Sequence, residues 1–290
     1  TADQEASFAV LDAFVAAGGR SVDTADAYSA WVPGNAGGES ETIIGDWLKA
    51  RGRRDDVVIA TKVAKLEGLR GLSRDTVRAG VQASLQRLGT DYIDLYYAHE
   101  DDESQSPEQI AATFDELVRE GKIRAIGLSN FTPQRLRAVV EAARTSGATP
   151  ATYSQDRYSL VERGIERDLL PVLTELGVSE LPYSSLAAGF LTGKYRPGVE
   201  VDSPRSGGAG SYLQRPGASA LLAVLDDVAA RHSVQVASVA LAWLRARTAV
   251  AAPIASGRNV AQIETLVASF ALDLPASDIA ALDAASDALG

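Results

Sequence analysis

Arg20-Ser-Val-Asp-Thr-Ala-Asp-Ala-Tyr28 reads as a short strand that ends and releases a carboxylate, Asp23, and a phenol, Tyr28, into the loop that follows. Polar groups at the tip of a strand that leads into a helix sit where α/β proteins keep their ligand sites, beyond the carboxyl ends of parallel strands. A phenol at such a place is not an ordinary core aromatic. The rest of the chain can be placed relative to that strand end.

Upstream, residues 3–17 put Phe8, Leu11, Phe14 and Val15 on one helical stripe and stop at Gly18-Gly19, a helix C-terminal signal. Downstream, residues 39–50 carry Ile43, Ile44, Trp47 and Leu48 at helical spacing, and 57–61 is a short buried strand with Lys62 at its carboxyl end. Residues 73–88 repeat the helical pattern and 92–98 form a strand ending at His99. Ser106-Pro107-Glu108-Gln109 is a capping box with Pro at the first helical position, opening a helix to about residue 120.

The strand 123–128 then delivers Ser129 and Asn130, Thr132-Pro133 caps a helix to 146, and the strand 151–154 ends in Gln155. A helix over 166–176 precedes a strand at 178–182 that ends at Tyr183. After an irregular stretch, 189–217, come helices at 219–232 and 235–247. A last strand at 250–254 hands over to Ser256–Arg258, and 260–269 and 277–288 finish as helices.

Seven short strands regularly separated by helices argue for an α/β fold with parallel strands joined by right-handed crossovers. A closed (β/α)8 TIM barrel has eight strands in about 250 residues, and a chain opening on a helix is what remains when the first strand is absent. No Pro/Gly/Ser linker divides the 290 residues, so a single domain over 1–290 is expected, with 203–210 as a short mobile loop.

Composition narrows the function. A net charge of -10, from 28 basic and 38 acidic residues, argues against a general affinity for nucleic acid or anionic membrane. With no Cys there are no disulfides, no thiol catalysis and no Cys-ligated zinc, which fits a reducing, cytoplasmic compartment. No apolar run approaches the roughly 20 residues that span a bilayer. His99 and His232 are the only histidines, so metal ligation has little to work with, and His232 reads as a favourable cation closing a helix. The first βα turn lacks Gly-x-Gly-x-x-Gly, and no phosphate loop follows Gly34, Gly37 and Gly38.

Asp23, Tyr28, Lys62 and His99 remain, all at the carboxyl ends of consecutive strands. Each has a bland reading alone: a turn cap, a rim aromatic, a solvated cation, a satisfied histidine. Together they fit a proton donor for a carbonyl. A phenol, with an ordinary pKa of about 10, becomes a better acid beside an ammonium. Asp23 would hold Lys62 charged, and His99, as a neutral donor, would bind the carbonyl oxygen while Tyr28 supplies the proton.

Several segments, in order and throughout the chain, resemble the aldo-keto reductases. They are Asp23-Thr-Ala-Asp-Ala-Tyr28, Thr61-Lys62, Asp91-Tyr-Ile-Asp-Leu-Tyr-Tyr-Ala-His99, Gly127-Leu-Ser-Asn-Phe131, Gln155 with Tyr158-Ser-Leu-Val-Glu-Arg163, Gly189-Phe-Leu-Thr-Gly-Lys-Tyr195 and Ala255-Ser-Gly-Arg258. The Gly-Phe-Leu-Thr-Gly-Lys-Tyr run is similar to the bacterial branch shared with the potassium-channel β subunits. The resemblance implies a (β/α)8 barrel that reduces aldehydes or ketones with NADPH, held in extended form, and a small-molecule carbonyl substrate as the partner.

By that resemblance Asp23, Tyr28, Lys62 and His99 match the catalytic tetrad, with Asp23 also near the cofactor. Ser129, Asn130 and Gln155 match the residues holding the carboxamide, and Tyr183 the ring stacked on the nicotinamide. Ser184 and Leu186 match pyrophosphate contacts, with charge added by Lys194. Ser256 and Arg258 stand where the family grips the adenosine 2′-phosphate, which favours NADPH over NADH, and Gln262 matches an adenine-side contact. Leu266 stands where many members have Asn. The resemblance also implies an N-terminal hairpin and first strand roughly thirty residues before Thr1, which either precede the given sequence or are missing from the domain.

Two other functions are open at this level: a cofactor-sensing subunit like the channel β subunits with little turnover, and a Schiff-base aldolase using Lys62. The substrate would be chosen by the loops 30–38, 65–71, 101–106 and 196–215 and by the C-terminal tail, and the first of these presents Trp31 toward an apolar pocket.

Overall fold

The computed structural model describes residues 3–199, 201 and 206–289. In chain order the elements are α1 (Gln4–Ala16), β1 (Ser21–Asp23), α2 (Glu39–Arg51), β2 (Val58–Val63), α3 (Arg74–Leu88), β3 (Ile93–Ala98), α4 (Pro107–Arg119), β4 (Ile123–Ser129), α5 (Pro133–Ser146) and β5 (Tyr153–Gln155). They continue with α6 (Leu169–Leu176), β6 (Ser179–Glu180), α7 (Ser206–Leu213), α8 (Ala218–His232), α9 (Val236–Arg245), α10 (Val260–Val267) and α11 (Ala276–Asp287). The sheet runs in sequence order from β1 to β6, and β1 through β5 pair parallel. No helix of the described residues is long and apolar enough to cross a membrane.

The chain forms two compact units, one made of Gly18–Gln155 and Asp168–Ser179, the other of Thr1–Ala17, Asp156–Arg167 and Glu180–Gly290. In the first, the strands read as near-continuous apolar runs because both faces are covered, and Ile59, Val63, Ile93, Ala98 and Leu128 are all buried. The helices start where their caps dictate. Ser73 and Thr132 accept the N–H groups of Thr76 and Arg135, and Ser106 and Gln109 close a reciprocal capping box.

Gly127 shows how local sequence serves the sheet. A Cβ there would lie 2.3 Å from the Tyr97 ring, its register neighbour on β3. Only glycine lets that ring lie flat across β4, and the ring then reaches to within 5.8 Å of the Lys62 ammonium.

In the second unit α8 packs against α9 and α11, and α1 against α10. His232, expected as a simple helix-closing cation, is 2.7 Å from the buried carboxylate of Asp278. None of the α1 residues is fully buried, although Phe14 meets Phe270 edge-on at 6.2 Å.

Several expectations are corrected. The seventh strand, 250–254, is not formed as a strand: Val250 makes one isolated parallel bridge to Glu180, and Ala251 and Ile254 donate to Glu180 and Pro182. Pro182 and Pro253 have no N–H, so the ladder cannot lengthen there. The irregular stretch 189–217 includes the end of a 3-10 segment that begins at Ala187 and runs to Thr192, and the helix α7. Of the expected mobile loop 203–210, residues 203–205 lie outside the described residues and the rest begins α7. The helix expected from 166 starts at Leu169, preceded by a 3-10 turn over Gly164–Glu166, because the Glu166 carboxylate is bound by Arg163 and Tyr158. Lys62 stands inside β2, one residue before its end.

Candidate active site

β1, β2 and β3 are adjacent and parallel, with Asp23 opposite Ala60 and Lys62 opposite Tyr97. That register brings together three of the four residues read from the sequence. The Lys62 ammonium, fully buried, donates to Asp23 Oδ2 at 2.6 Å, to the Thr24 carbonyl at 2.7 Å and to the Tyr28 hydroxyl at 3.1 Å. All three donor hydrogens are thus satisfied. The ammonium also lies 4.7 Å from the centre of the Tyr28 ring.

Burial opposes a charge on Lys62, but the Asp23 carboxylate and the Tyr28 phenol outweigh it and hold its pKa above the ordinary lysine value. Lys62 is therefore an ammonium held against the Tyr28 hydroxyl. His99 joins through its ring, edge-on to Tyr28 at 5.9 Å and 74°. Burial first, then the charges of Lys62 and Lys65, push the imidazole down to about 3, so it is neutral at physiological pH. Its Nδ1 is buried without a hydrogen-bond partner among the described residues, and a proton carried on Nε2 avoids burying an unpaired N–H.

The β1–α2 loop that carries Tyr28 is held by successive turns. Ala30 donates to Ala27, Val32 to Ser29 and Asn35 to Val32. The Asn35 side chain also donates to the Ser29 carbonyl, and the Glu39 carboxylate accepts the N–H groups of Ala36 and Gly37. Ser29 stands at φ 73, a left-handed conformation held by that network. Trp31 is displayed from this loop, 74% exposed, with its ring edge-on to Tyr28 at 6.2 Å.

Ser129, Asn130 and Gln155 are gathered beside this group. Gln155 Nε2 donates to Asp23 Oδ1 at 2.8 Å, so one carboxylate is shared between Gln155 and Lys62. Ser129 donates to the Gln155 carbonyl, and Asn130, left-handed at φ 59, donates to Ser129 Oγ and to the His99 carbonyl. This is a row of amide and hydroxyl groups of mixed donor and acceptor character, the chemistry that a carboxamide needs.

The remaining cofactor candidates lie in the other unit. Ser184, Ala187, Ala188 and Gly189 all have positive φ, at 57, 48, 55 and 96°. The Ala187 and Gly189 N–H groups close this turn by donating to the carbonyls of Ser184 and Leu186. A Cβ on Gly189 would lie 3.9 Å from the Lys194 ammonium, which places a cation beside that turn. Tyr183 has the Arg157 guanidinium 5.9 Å from its ring.

Further along, Arg258 is exposed and makes no ion pair among the described residues, while its N–H donates to Gln262 Oε1 at 2.8 Å. Gln262 thus shapes the turn that presents Arg258, and Asn259 caps α10 by accepting the Gln262 N–H. Ser256 is exposed on the same turn. Taken unit by unit, the amide and hydroxyl groups of the first suit a carboxamide, and Lys194 and the exposed Arg258 of the other suit phosphate groups.

Three groups at the site were missed from sequence. The Thr24 carbonyl is a backbone acceptor with no sequence signal. Tyr97 was covered by the general apolar run of β3, and Gly127 opposite it was the available clue. Asp26 stands inside the quoted segment, fully buried, but a loop has no periodicity from which burial can be read.

Residues 1–287 match the aldo/keto reductase family. Among curated relatives, a norsolorinic acid reductase of Emericella nidulans is 32% identical over 286 residues, covering 95% of this chain and 70% of the relative. An aryl-alcohol dehydrogenase [NADP(+)] of Phanerodontia chrysosporium is 31% identical, with 90% of this chain and 70% of the relative covered. A probable aryl-alcohol dehydrogenase of Saccharomyces cerevisiae is 28% identical, with 97% and 88% covered. The chain therefore belongs to the aldo/keto reductase family and is an oxidoreductase.

Proposed function

We propose that the chain reduces an aldehyde or ketone to an alcohol with NADPH, and that Asp23, Tyr28, Lys62 and His99 carry the proton side of that reaction. The observation that carries this reading is the Lys62 ammonium, bonded at once to Asp23 and to the Tyr28 hydroxyl. NADPH, when bound, supplies the hydride. The neutral His99 N–H orients the carbonyl oxygen, and Tyr28 gives that oxygen a proton as negative charge develops on it. Lys62 stabilises the phenolate left behind, and Asp23, steadied by Gln155, keeps Lys62 charged.

Ser129, Asn130 and Gln155 would hold the carboxamide and Tyr183 the nicotinamide ring. Ser184, Leu186 and Lys194 would hold the pyrophosphate, and Ser256, Arg258 and Gln262 the adenosine 2′-phosphate end. We read residues 1–290 as one (β/α)8-barrel domain of the branch related to the channel β subunits, in the cytoplasm. Family membership, the Gly189–Tyr195 run and the absence of cysteine support these readings. The names of the fungal relatives favour turnover over a purely cofactor-sensing role. Lys62 as a held ammonium argues against a Schiff-base aldolase, which needs a free amine.

A screen of NADPH consumption over aldehydes, ketones and ketosugars, with an NADH control, tests the reading. NADPH oxidation that requires a carbonyl is expected, and no consumption with any carbonyl overturns it. Arg258→Ala should raise the NADPH KM by about 10- to 100-fold and leave the NADH KM within about twofold, since a charge-assisted bond contributes about 1.5–3 kcal/mol. Equal loss with both cofactors would assign Arg258 another role.

Trp31 points to an aromatic carbonyl, as the names of two relatives also do. Aromatic stacking contributes about 0.5–1.5 kcal/mol, so Trp31→Ala should raise KM for aryl aldehydes about two- to tenfold and leave small aliphatic aldehydes unaffected. Trp47 and Trp243 are 1% and 0% exposed, so iodide quenching reports on Trp31, and an aryl aldehyde should protect it. Unprotected Trp31 with uniform KM changes would remove it from the substrate site.

A further inference from the structure

Successive residues of a strand face opposite sides of the sheet. Lys62 on β2 reaches the tetrad, so its neighbour Thr61 faces α2 and α3, where its hydroxyl donates to Glu41 Oε1 at 2.5 Å. Glu41 is fully buried, and its other oxygen is bound by Arg87 through Nε at 2.7 Å and Nη2 at 2.6 Å. A Cβ on Gly45 would lie 2.2 Å from the Arg87 carbonyl, so this glycine lets α2 approach α3 closely enough for that ion pair.

A second buried carboxyl, Asp26, stands beside this pair. It is fully buried, and neither of its oxygens has a hydrogen-bond partner among the described residues. The charged and titratable groups around it are Glu41 from α2, Arg87 from α3, Lys62 from β2 and Tyr96 from β3. Arg87 is engaged by Glu41, and Lys62 by Asp23 and Tyr28. The Tyr96 hydroxyl is itself buried without a partner among the described residues. No cation is therefore left for an Asp26 carboxylate, and an uncompensated buried charge is strongly disfavoured.

The backbone of the same residue is a clasp. The Asp26 N–H donates to the Lys62 carbonyl at 3.3 Å, and the Asp26 carbonyl accepts the Gly38 N–H at 2.6 Å. Both ends of the loop bearing Tyr28 are thereby tied to β2.

We propose that Asp26 acts as a protonated carboxylic acid and is a positioning residue for Tyr28: with its proton the clasp is closed, and ionisation drives the side chain from its buried place and shifts the phenol two residues on. This rests on the reading of Tyr28 as proton donor. Burial, then the charge of Glu41, raises Asp26 from 3.8 to about 7, against weaker pulls from the Ala27 N–H, Arg87 and Lys62. Because the folded chain keeps a proton that the unfolded chain has released, this site's stability is fully present below about pH 4 and is lost as pH rises through about 7.

The test measures kcat/KM, melting temperature and the infrared protonated-carboxyl band from acid to alkaline pH, for the intact chain, Asp26→Asn and Glu41→Gln. In the parent chain, labelling with carbon-13 aspartate assigns the band, which should disappear near neutrality together with a fall in kcat/KM, while the melting temperature should fall from about pH 4 and level off above about 7. Asp26→Asn should lack the band and show neither fall. Glu41→Gln removes the like charge and frees Arg87, and should move all three transitions down by at least one pH unit. An aspartate band that titrates in the ordinary carboxylate range, or an Asp26→Asn profile with the parent break, overturns the proposal. The band and the melting curve need no turnover, so a chain inactive on every carbonyl would refute the reductase reading while the Asp26 transition is still read.

Discussion

Tyr28→Phe is expected to lower kcat for carbonyl reduction by about 10²- to 10⁴-fold, the usual contribution of a positioned proton donor, while the Kd for NADPH stays within about twofold. Phenylalanine keeps nearly everything the ring does. The edge contacts to His99 at 5.9 Å and Trp31 at 6.2 Å and the ammonium 4.7 Å from the ring centre involve the ring, not the hydroxyl. Lys62 loses one acceptor and retains Asp23 and the Thr24 carbonyl. What disappears is the proton and the phenolate that Lys62 stabilises.

His99 cannot take over as an ionised acid. Its pKa near 3 leaves the imidazole neutral, able to polarise a carbonyl through an N–H but without an acidic proton at physiological pH. Stopped-flow turnover and a fluorescence titration of NADPH on the same preparation separate the two effects. A variant within tenfold of the parent kcat would exclude Tyr28 as the proton donor, and a variant that no longer binds NADPH would place the hydroxyl in cofactor binding instead.

Most of the polar cluster around Lys62 was legible because its members stand where an apolar run stops at a polar residue. Asp23, Lys62, His99, Ser129 and Gln155 all satisfy that pattern on parallel strands, and parallel pairing in sequence order brings them to neighbouring positions. Asp26 did not show because a loop has no periodicity, and the Glu41 and Arg87 beside it meet only when α2 and α3 pack together.

α7 was hidden for the opposite reason. Ser-Gly-Gly-Ala-Gly-Ser-Tyr-Leu has the composition of a loop and poor helix propensity. Its helix is held by tertiary contacts within its own unit: Ala209 is buried, Tyr212 packs 6.0 Å from Phe190, and the Tyr212 hydroxyl donates to Glu162. The seventh strand failed in turn because proline removes ladder donors, a rule readable at Pro182 and Pro253 but overridden in the reading by the apolar run around them.

Lys62→Met should destabilise the fold by about 3–5 kcal/mol, the range found when one partner of a buried ion pair is removed, and reduce turnover at least as much as Tyr28→Phe. Methionine is similar to lysine in length and volume and suits a buried place, so the change is chiefly one of charge. It leaves the Asp23 carboxylate with only its Gln155 bond and the Thr24 carbonyl without the ammonium it accepted from. Lys62→Met/Asp23→Asn separates the two consequences. With both charges gone, more than half of the lost stability should return, because an apolar or neutral pair in place of a buried ion pair is close to neutral. Turnover should not return, because no cation then stabilises the Tyr28 phenolate.

Denaturant midpoints and kcat measured on the four proteins complete the cycle. A single variant as stable as the parent would mean that the pair contributes nothing to folding, and a double variant with restored kcat would exclude an electrostatic action of Lys62 on Tyr28. The pH dependence supplies an internal check. The Lys62 pKa is raised in the folded chain, so its stabilisation is full below the ordinary value of 10.5 and is lost only as pH rises through the higher folded value. From roughly pH 6 to 9 the deficit of Lys62→Met should therefore be constant, in contrast to the change through neutrality that Asp26 produces. The two buried groups, one kept charged and the other kept neutral on opposite faces of β2, are thus distinguishable in a single stability-versus-pH series.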